Sequence, residues 1–177
     1  MFTDFNYIPT LAIRPSEIEA TTRLPDFDKD QMLPSIMLKK WHNSGSLDKS
    51  FAAISRAMGS RPIILDLAPR PATVKSPCDQ QIIDLHNARN GHARWVDLLS
   101  QHTHVLPTLQ WGGTNEDTLA QAHALSSLNR PGIVLRLRRA HQWDLAAFSA
   151  LAGFDFGAPV LIVLDFGHLA PRADLTA

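Results

Sequence analysis

Six short apolar segments, each with a proline near its start, recur along this chain with room for one helix between successive segments. The segments are 7–14, 32–39, 61–69, 105–111, 131–138 and 158–166, and their prolines are Pro9, Pro34, Pro62, Pro107, Pro131 and Pro159. Proline is tolerated where a strand begins, because the hydrogen-bonded ladder does not yet need its missing N–H. Strands that alternate with helices are typical of βαβ units, whose strands run parallel. The pattern therefore predicts an α/β chain of repeated βα units with a six-stranded parallel sheet.

The stretches between these segments carry the apolar spacing of helices. Leu47, Phe51, Ile54 and Met58 form one such stripe, and Gly59 follows where a helix is expected to end. The predicted helices cover 16–23, 47–58, 79–101, 115–129 and 143–152, with a break at Asn90-Gly91 in the third. Because no stretch resembles an interdomain linker, the sequence predicts a single βα-repeat domain over residues 1–177.

The two faces of the predicted sheet differ in chemistry, since alternate residues of a strand point to opposite sides. One face is aliphatic, as expected beneath packed helices. It comprises Leu11, Ile13, Ile36, Leu38, Ile63, Leu65, Leu67, Leu109, Ile133, Leu135, Leu137, Ile162 and Leu164. The opposite face is small or apolar where the strands begin and charged where they end. A doubly wound sheet would be apolar on both faces, so the alternation favours the wall of a (β/α) barrel.

The chain is short for a closed barrel of this kind, which uses eight strands and typically about 250 residues. Six strands at this spacing already occupy the 177 residues. We therefore expect an incomplete or open TIM-barrel-like structure, which could be a fragment of a longer barrel. An unclosed edge strand invites pairing with another chain, so the expected partners are a protein or a second copy of this chain.

The ends of the predicted strands bring charged and polar side chains to one rim of this wall. The candidate ligand-binding residues are Arg14, Lys39, Gln110, Arg136 and Arg138, and the candidate catalytic residues are Asp66, Asp165 and His168. Arginine suits bidentate binding of phosphate or carboxylate, and carboxylates and histidine suit proton transfer. The rim could therefore bind a small anionic ligand. In the alternative interpretation the two strand-end arginines pair with the two aspartates and fill the lumen.

Composition and short motifs exclude several classes of function. Lys+Arg and Asp+Glu both number 17, so a nucleic-acid partner is not expected. No run approaches the roughly 20 apolar residues of a membrane span, and the single cysteine favours a reducing compartment, so we expect a cytoplasmic protein. His102-Thr103-His104 precedes a strand at the opposite end from the rim, and Trp111-Gly112-Gly113 lacks a phosphate-loop motif. No metal or cofactor is predicted.

Two N-terminal segments resemble a known family. Residues 7–20 read YIPTLAIRPSEIEA and residues 29–36 read KDQMLPSI. This start is similar to that of the phage-associated beta family, the T4-beta-like proteins, and Arg14 and Glu17 occupy the positions that match its N-terminal motif. The resemblance implies a phage, prophage or mobile-element setting, and family members are generally longer than this chain. It implies no reaction.

Three hypotheses of function follow. The first is a phage or mobile-element protein that acts by binding a protein partner, and the family likeness and the open sheet edge favour it. The second is a TIM-barrel-like enzyme or binding protein for an anionic or phosphorylated ligand, with its site at the strand-end rim. The third is a structural phage component. Whether the chain is an enzyme is left open at this point.

Overall fold

In a computed structural model of the chain, which describes residues 2–138 and 145–166, six parallel strands form a curled half-barrel. The strands are β1 (Thr10–Ala12), β2 (Ser35–Leu38), β3 (Ile63–Leu67), β4 (Val105–Leu109), β5 (Ile133–Arg138) and β6 (Val160–Asp165). Each strand pairs in parallel with the next strand along the chain, so the order in the sheet is β1-β2-β3-β4-β5-β6. The predicted open, barrel-like α/β fold with six parallel strands is confirmed.

Helices connect the strands. They are α1 (Pro15–Arg23), α2 (Asp26–Asp30), α3 (Asp48–Met58), α4 (Pro77–Leu85), α5 (Arg89–Ser100), α6 (Asn115–Ser127) and α7 (Leu145–Ala150). The short helix α2 is absent from the sequence prediction. The predicted helix over 79–101 consists of two helices, α4 and α5. The chain also leaves the helical conformation at the predicted break, where Asn90, Gly91 and His92 all have positive φ. Asparagine and glycine tolerate this left-handed conformation better than other residues.

The main core lies between the outer face of the sheet and the helices. Ile36, Leu38 and Leu65 from the strands are buried there together with Ile54 of α3 and Trp95 of α5. The aliphatic face is thus where the alternation predicts it in these strands. The last strand differs, because Ile162 and Leu164 are 50% and 56% exposed. Their predicted place beneath helices is wrong for the described part of the chain.

A smaller apolar cluster closes the inner face of the sheet at the N-terminal ends of the strands. Leu33, Ile64, Leu106 and Val134 are buried in it, and Phe2 packs against them from a single 3-10 turn, Phe2–Asp4. The inner face thus has an apolar cluster towards one end of the strands, and its charged side chains Asp66, Arg136, Arg138 and Asp165 lie towards the other end.

In the described ranges, none of the helices has the length and apolar character that a bilayer crossing requires.

Candidate functional site

Asp66, near the C-terminal end of β3, is the centre of a buried network of charged and polar side chains. Its side chain is 2% exposed, and its carboxylate accepts four hydrogen bonds. Oδ1 accepts from the Gln110 side-chain amide and from the backbone N–H of Leu67, both at 2.8 Å. Oδ2 accepts from Nη1 of Arg136 at 2.8 Å and from Nη2 of Arg138 at 2.5 Å. The β3 carboxylate is thus bonded to side chains at the ends of β4 and β5.

Arg136 extends this network to the last strand. Its Nε and Nη2 donate to Oδ2 of Asp165 at 3.1 and 2.7 Å, while its Nη1 donates to Asp66. Burial by itself would lower the pKa of Arg136, but the charges and hydrogen bonds of Asp66 and Asp165 outweigh it and raise that pKa. The guanidinium is therefore a fixed positive charge that joins β3 to β6 across the inner face. Such buried pairs fix geometry because loss of one partner leaves the other charge uncompensated.

The four donors around Asp66 define what this carboxylate can do. A general base needs an accessible lone pair within hydrogen-bond reach of the proton that it removes. The lone pairs of Asp66 already accept from Arg136, Arg138, Gln110 and the backbone, so the geometry gives Asp66 a positioning role. The ion pairs of the alternative interpretation are present, and the catalytic roles of Asp66 and Asp165 stay predictions.

A cavity of about 350 Å³ opens above the network, at the C-terminal ends of the strands. Its lining residues are Met37, Pro69, Arg70, His86, Gln110, Trp111, Arg136, Arg138 and Asp165. Trp111 donates its indole N–H to the backbone carbonyl of Arg136 at 2.5 Å, which fixes the ring as one wall. The cavity combines arginine side chains with the apolar surfaces of Trp111, Met37 and Pro69. Ligand pockets usually have this composition, a mostly apolar wall with a few placed polar groups.

His86 lies at the edge of this cavity and is half-buried. Its Nε2 lies 2.9 Å from the carbonyl oxygen of Ala68, so this nitrogen donates its proton to that carbonyl. Burial lowers the pKa of His86, and the nearby positive charges of Arg138 and Arg70 lower it further. The imidazole is therefore neutral near pH 7 and adds no charge to the cavity.

Two predicted rim residues lie apart from this cavity. The Arg14 side chain is 67% exposed and its Nη1 lies 3.7 Å from Oε1 of Glu17, in the first turn of α1. Lys39 follows the last residue of β2, and its backbone carbonyl accepts from the hydroxyl of Ser50 in α3. Neither side chain lines the cavity. His168 lies outside the described residues.

Three lining residues with charged or hydrogen-bonding side chains are not among the predicted site residues. Arg70 lies in the loop that follows β3, Trp111 lies two residues beyond the end of β4, and His86 follows α4. The loops after the strands of a barrel carry its functional residues. Their positions after β3 and β4 could therefore have identified Arg70 and Trp111 from the sequence. No local pattern distinguishes His86, because a long loop and a helix separate it from β3.

The other candidate sites of the described chain do not form a reactive centre. Cys78 is buried at the start of α4, and burial raises the pKa of its thiol. The N-terminus of α6 is already capped, because the Thr114 hydroxyl accepts from the N–H of Asp117 while the Asp117 carboxylate accepts from the N–H of Thr114. Within 2–138 and 145–166, no three His, Cys, Asp or Glu side chains are grouped so as to hold a metal ion.

Comparison with known proteins gives a family and a relative. The family model described as Beta protein matches residues 7–177. Protein beta of Enterobacteria phage P4 is 24% identical over 170 residues, which are 95% of this chain and 46% of that protein. The chain thus spans just under half the length of the curated relative that it matches. No solved structure shows a significant match to this chain.

Proposed function

This chain belongs to the beta family of phage proteins, and from that membership we propose that it acts by binding a protein partner at the open edge of its sheet. The partner contributes an extended segment that pairs with β6. In this mode of recognition, main-chain hydrogen bonds give affinity, and alternate side chains of the added strand give specificity. The observation that carries the proposal is the apolar character of β6.

The last strand has the features of an unprotected edge. All six of its residues pair with β5, from Val160 opposite Ile133 to Asp165 opposite Arg138. In the part of the chain that the structure describes, no strand pairs with its other side. Ile162 and Leu164 expose half or more of their surface on the outer face of this strand. Proteins usually protect such edges with lysine, proline or a covering helix, and the interior of β6 has neither lysine nor proline.

The space beside β6 also suits an extended segment. A second cavity of about 350 Å³ has Ile8 and Thr10 from the first strand region on one side and Leu161 and Val163 of β6 on the other. A closed barrel of this type has eight strands, whereas this sheet has six in the described residues. An added strand with alternating apolar residues would therefore pack its side chains beside the exposed Ile162 and Leu164 and complete the hydrogen bonding of β6.

The proposal is tested by selecting from a displayed library of random 12-residue peptides against the immobilised chain. We expect the enriched peptides to carry apolar residues at every second position. The Ile162→Lys variant, which places a charge on the edge, should lose their binding by at least tenfold. The matched control is Phe27→Lys, since Phe27 is an exposed apolar residue on α2 that does not line the cavity beside β6. This control should bind the enriched peptides as the unmodified chain does.

Size-exclusion chromatography with light scattering measures the mass of the particle, which shows whether a second copy of the chain pairs with the β6 edge. A dimer that Ile162→Lys disrupts and Phe27→Lys leaves intact would support edge pairing and make a second copy the partner. A strict monomer that enriches no peptide would contradict the proposal. Enriched peptides that bind Ile162→Lys and the unmodified chain equally would contradict it as well. Regular multimers that do not depend on Ile162 would instead indicate a structural phage component.

A further inference from the structure

We propose that the cavity above the Asp66 network binds a small organic oxyanion. A phosphate or carboxylate group lies between Arg70 and Arg138, and the flat apolar body of the same ligand lies against Trp111. This site is at the C-terminal ends of the central strands and does not include Ile162 or Leu164 of the proposed protein interface; Arg136 and Asp165 line both this cavity and the one beside β6.

The charge balance of the site favours an anion. Among the described residues of the site, Arg70, Arg136 and Arg138 carry three positive charges and Asp66 and Asp165 carry two negative charges, which leaves one positive charge. Arg136 is committed to both carboxylates. The remaining positive charge therefore lies at Arg70 and Arg138. The positive field there already acts on a neighbouring group, since the charges of Arg138 and Arg70 both oppose protonation of His86.

Arg138 is held in place but keeps part of its guanidinium for a ligand. In the described residues, its hydrogen bonds to Asp66 and to the carbonyl of Leu67 are both made by Nη2. Its Nε and Nη1 therefore keep N–H donors, which point to different sides of the planar group because Cδ lies between them. One oxygen of a phosphate or carboxylate can accept from Arg138 while a second oxygen accepts from Arg70, which lines the same cavity.

Arg70 supplies the second cation. It lies on the exposed loop after β3 and lines the same cavity as Arg138. No carboxylate of residues 2–138 or 145–166 is within ion-pair distance of it, unlike Arg136 and Arg138, which pair with Asp66. An exposed arginine at the mouth can close over an anion that the buried arginine has oriented.

The walls of the cavity determine the rest of the ligand. Its volume of about 350 Å³ lies near the lower end of the range for small-molecule sites, roughly 300–1,000 Å³. The Trp111 indole is fixed by its bond to the carbonyl of Arg136, and Met37 and Pro69 form the remaining apolar surface. The ligand class is therefore an anionic head on a compact planar body, about the size of one aromatic ring.

The test is a calorimetric titration of the full chain with phenyl phosphate, benzoate, inorganic phosphate and uncharged benzyl alcohol. Phenyl phosphate or benzoate should bind with a Kd of about 1 mM or below, and both benzyl alcohol and inorganic phosphate should bind at least tenfold more weakly. Tighter binding of phenyl phosphate identifies a phosphate as the natural head group, and tighter binding of benzoate identifies a carboxylate.

Three variants locate the binding. Arg70→Gln removes the exposed cation, and Arg138→Lys keeps the charge but removes the guanidinium N–H donors. Each should weaken the binding of the better aromatic anion by about tenfold, which is 1.4 kcal/mol. The matched control is Arg56→Gln, because Arg56 is an exposed arginine on α3 that does not line the cavity. It should leave the Kd unchanged. Circular dichroism of each variant checks that the fold is retained.

Nuclear magnetic resonance gives an independent readout of where the ligand lies. A bound anion favours the protonated imidazole, so the pKa of His86 should rise in the presence of the ligand. The proposal is overturned if benzyl alcohol binds as tightly as the aromatic anions, or if no anion binds with a Kd near 1 mM. Equal weakening by Arg70→Gln and Arg56→Gln would overturn it too, as would an unchanged pKa of His86.

Discussion

Gly91 lies where the first turn of α5 meets α6, and the approach is so close that only glycine fits. Its φ is +66°, in the left-handed region. A Cβ built on Gly91 would lie 2.5 Å from the backbone nitrogen of Gln121 and 2.8 Å from the carbonyl carbon of Ala120. These neighbours are helix backbone, which cannot move aside as a flexible side chain can. The residue therefore sets the distance between the two helices.

The substitution Gly91→Ala should lower the free energy of unfolding by about 3 kcal/mol, because overpacking and the left-handed backbone each contribute an unfavourable term. Urea denaturation followed by circular dichroism measures the change. The matched control is Gly45→Ala, since no atom lies within 4 Å of a Cβ built there; it should change the stability by less than about 0.5 kcal/mol. Equal effects of the two substitutions would show that the helix contact at Gly91 is not tight.

At the scale of elements, the Asp66 network joins strands that are not neighbours. Arg136 of β5 bonds simultaneously to Asp66 of β3 and to Asp165 of β6, across the inner face of the curled sheet. Backbone pairing links each strand only to the next one. The side-chain network therefore adds the connections that the sheet lacks and keeps its C-terminal edge curled.

The substitution Asp66→Asn should destabilise the chain by about 3–5 kcal/mol, since it leaves buried arginines without one of their charge partners. Thermal and urea denaturation would measure this loss. Asp97→Asn, an exposed position on α5, is the matched control and should stay within about 0.5 kcal/mol of the unmodified chain. If Asp66→Asn changes the free energy of unfolding as little as Asp97→Asn does, the network stabilises the chain no more than solvent-exposed ion pairs would, and it does not hold the sheet in its curled form.

Much of this arrangement is predictable from the sequence because strand side chains alternate with a period of two. That period alone places Asp66, Gln110 and Arg136 together near the ends of three parallel strands. It fails for Arg14, which lies two residues beyond the end of β1 at Ala12, because the alternation no longer sets the direction of a side chain that far from the strand, whereas Gln110 directly follows β4. Arg14 instead lies beside Glu17 on the next helix.

The remaining differences arise where long-range packing decides the outcome. His86 reaches the cavity only because α4 returns the chain to the end of β3, where Ala68 accepts its hydrogen bond. The strand period carries no information about that return. The exposure of Ile162 depends on what lies next to β6 in space, and an aliphatic residue in a strand is compatible with either a covered or an open face.

At the scale of the whole molecule, burial of several histidines makes stability depend on pH. Burial lowers the pKa of His86, His92, His102 and His104 from the ordinary value of 6.5. In the unfolded chain these imidazoles take up protons near pH 6.5, whereas in the folded chain they resist protonation to a lower pH. Between the two values the unfolded state binds more protons, so acid favours unfolding.

The free energy of unfolding should therefore be at its full value above pH 6.5 and should fall as the pH is lowered from 6.5 towards 5. Urea denaturation at several pH values measures the slope. The variant His92→Asn removes the most deeply buried imidazole of the four, and asparagine tolerates the positive φ at that position. Its stability should fall less steeply over the same range; an identical slope would exclude His92 as a source of the effect.

The spatial order of the strands is the same as their order in the chain. Each strand and its helix can therefore dock on the preceding unit as soon as both have left the ribosome, and no strand has to wait for a partner that is synthesised much later. Chains with such local pairing fold faster than those that must close long loops. Synthesis can thus build this sheet one unit at a time, in the direction of translation.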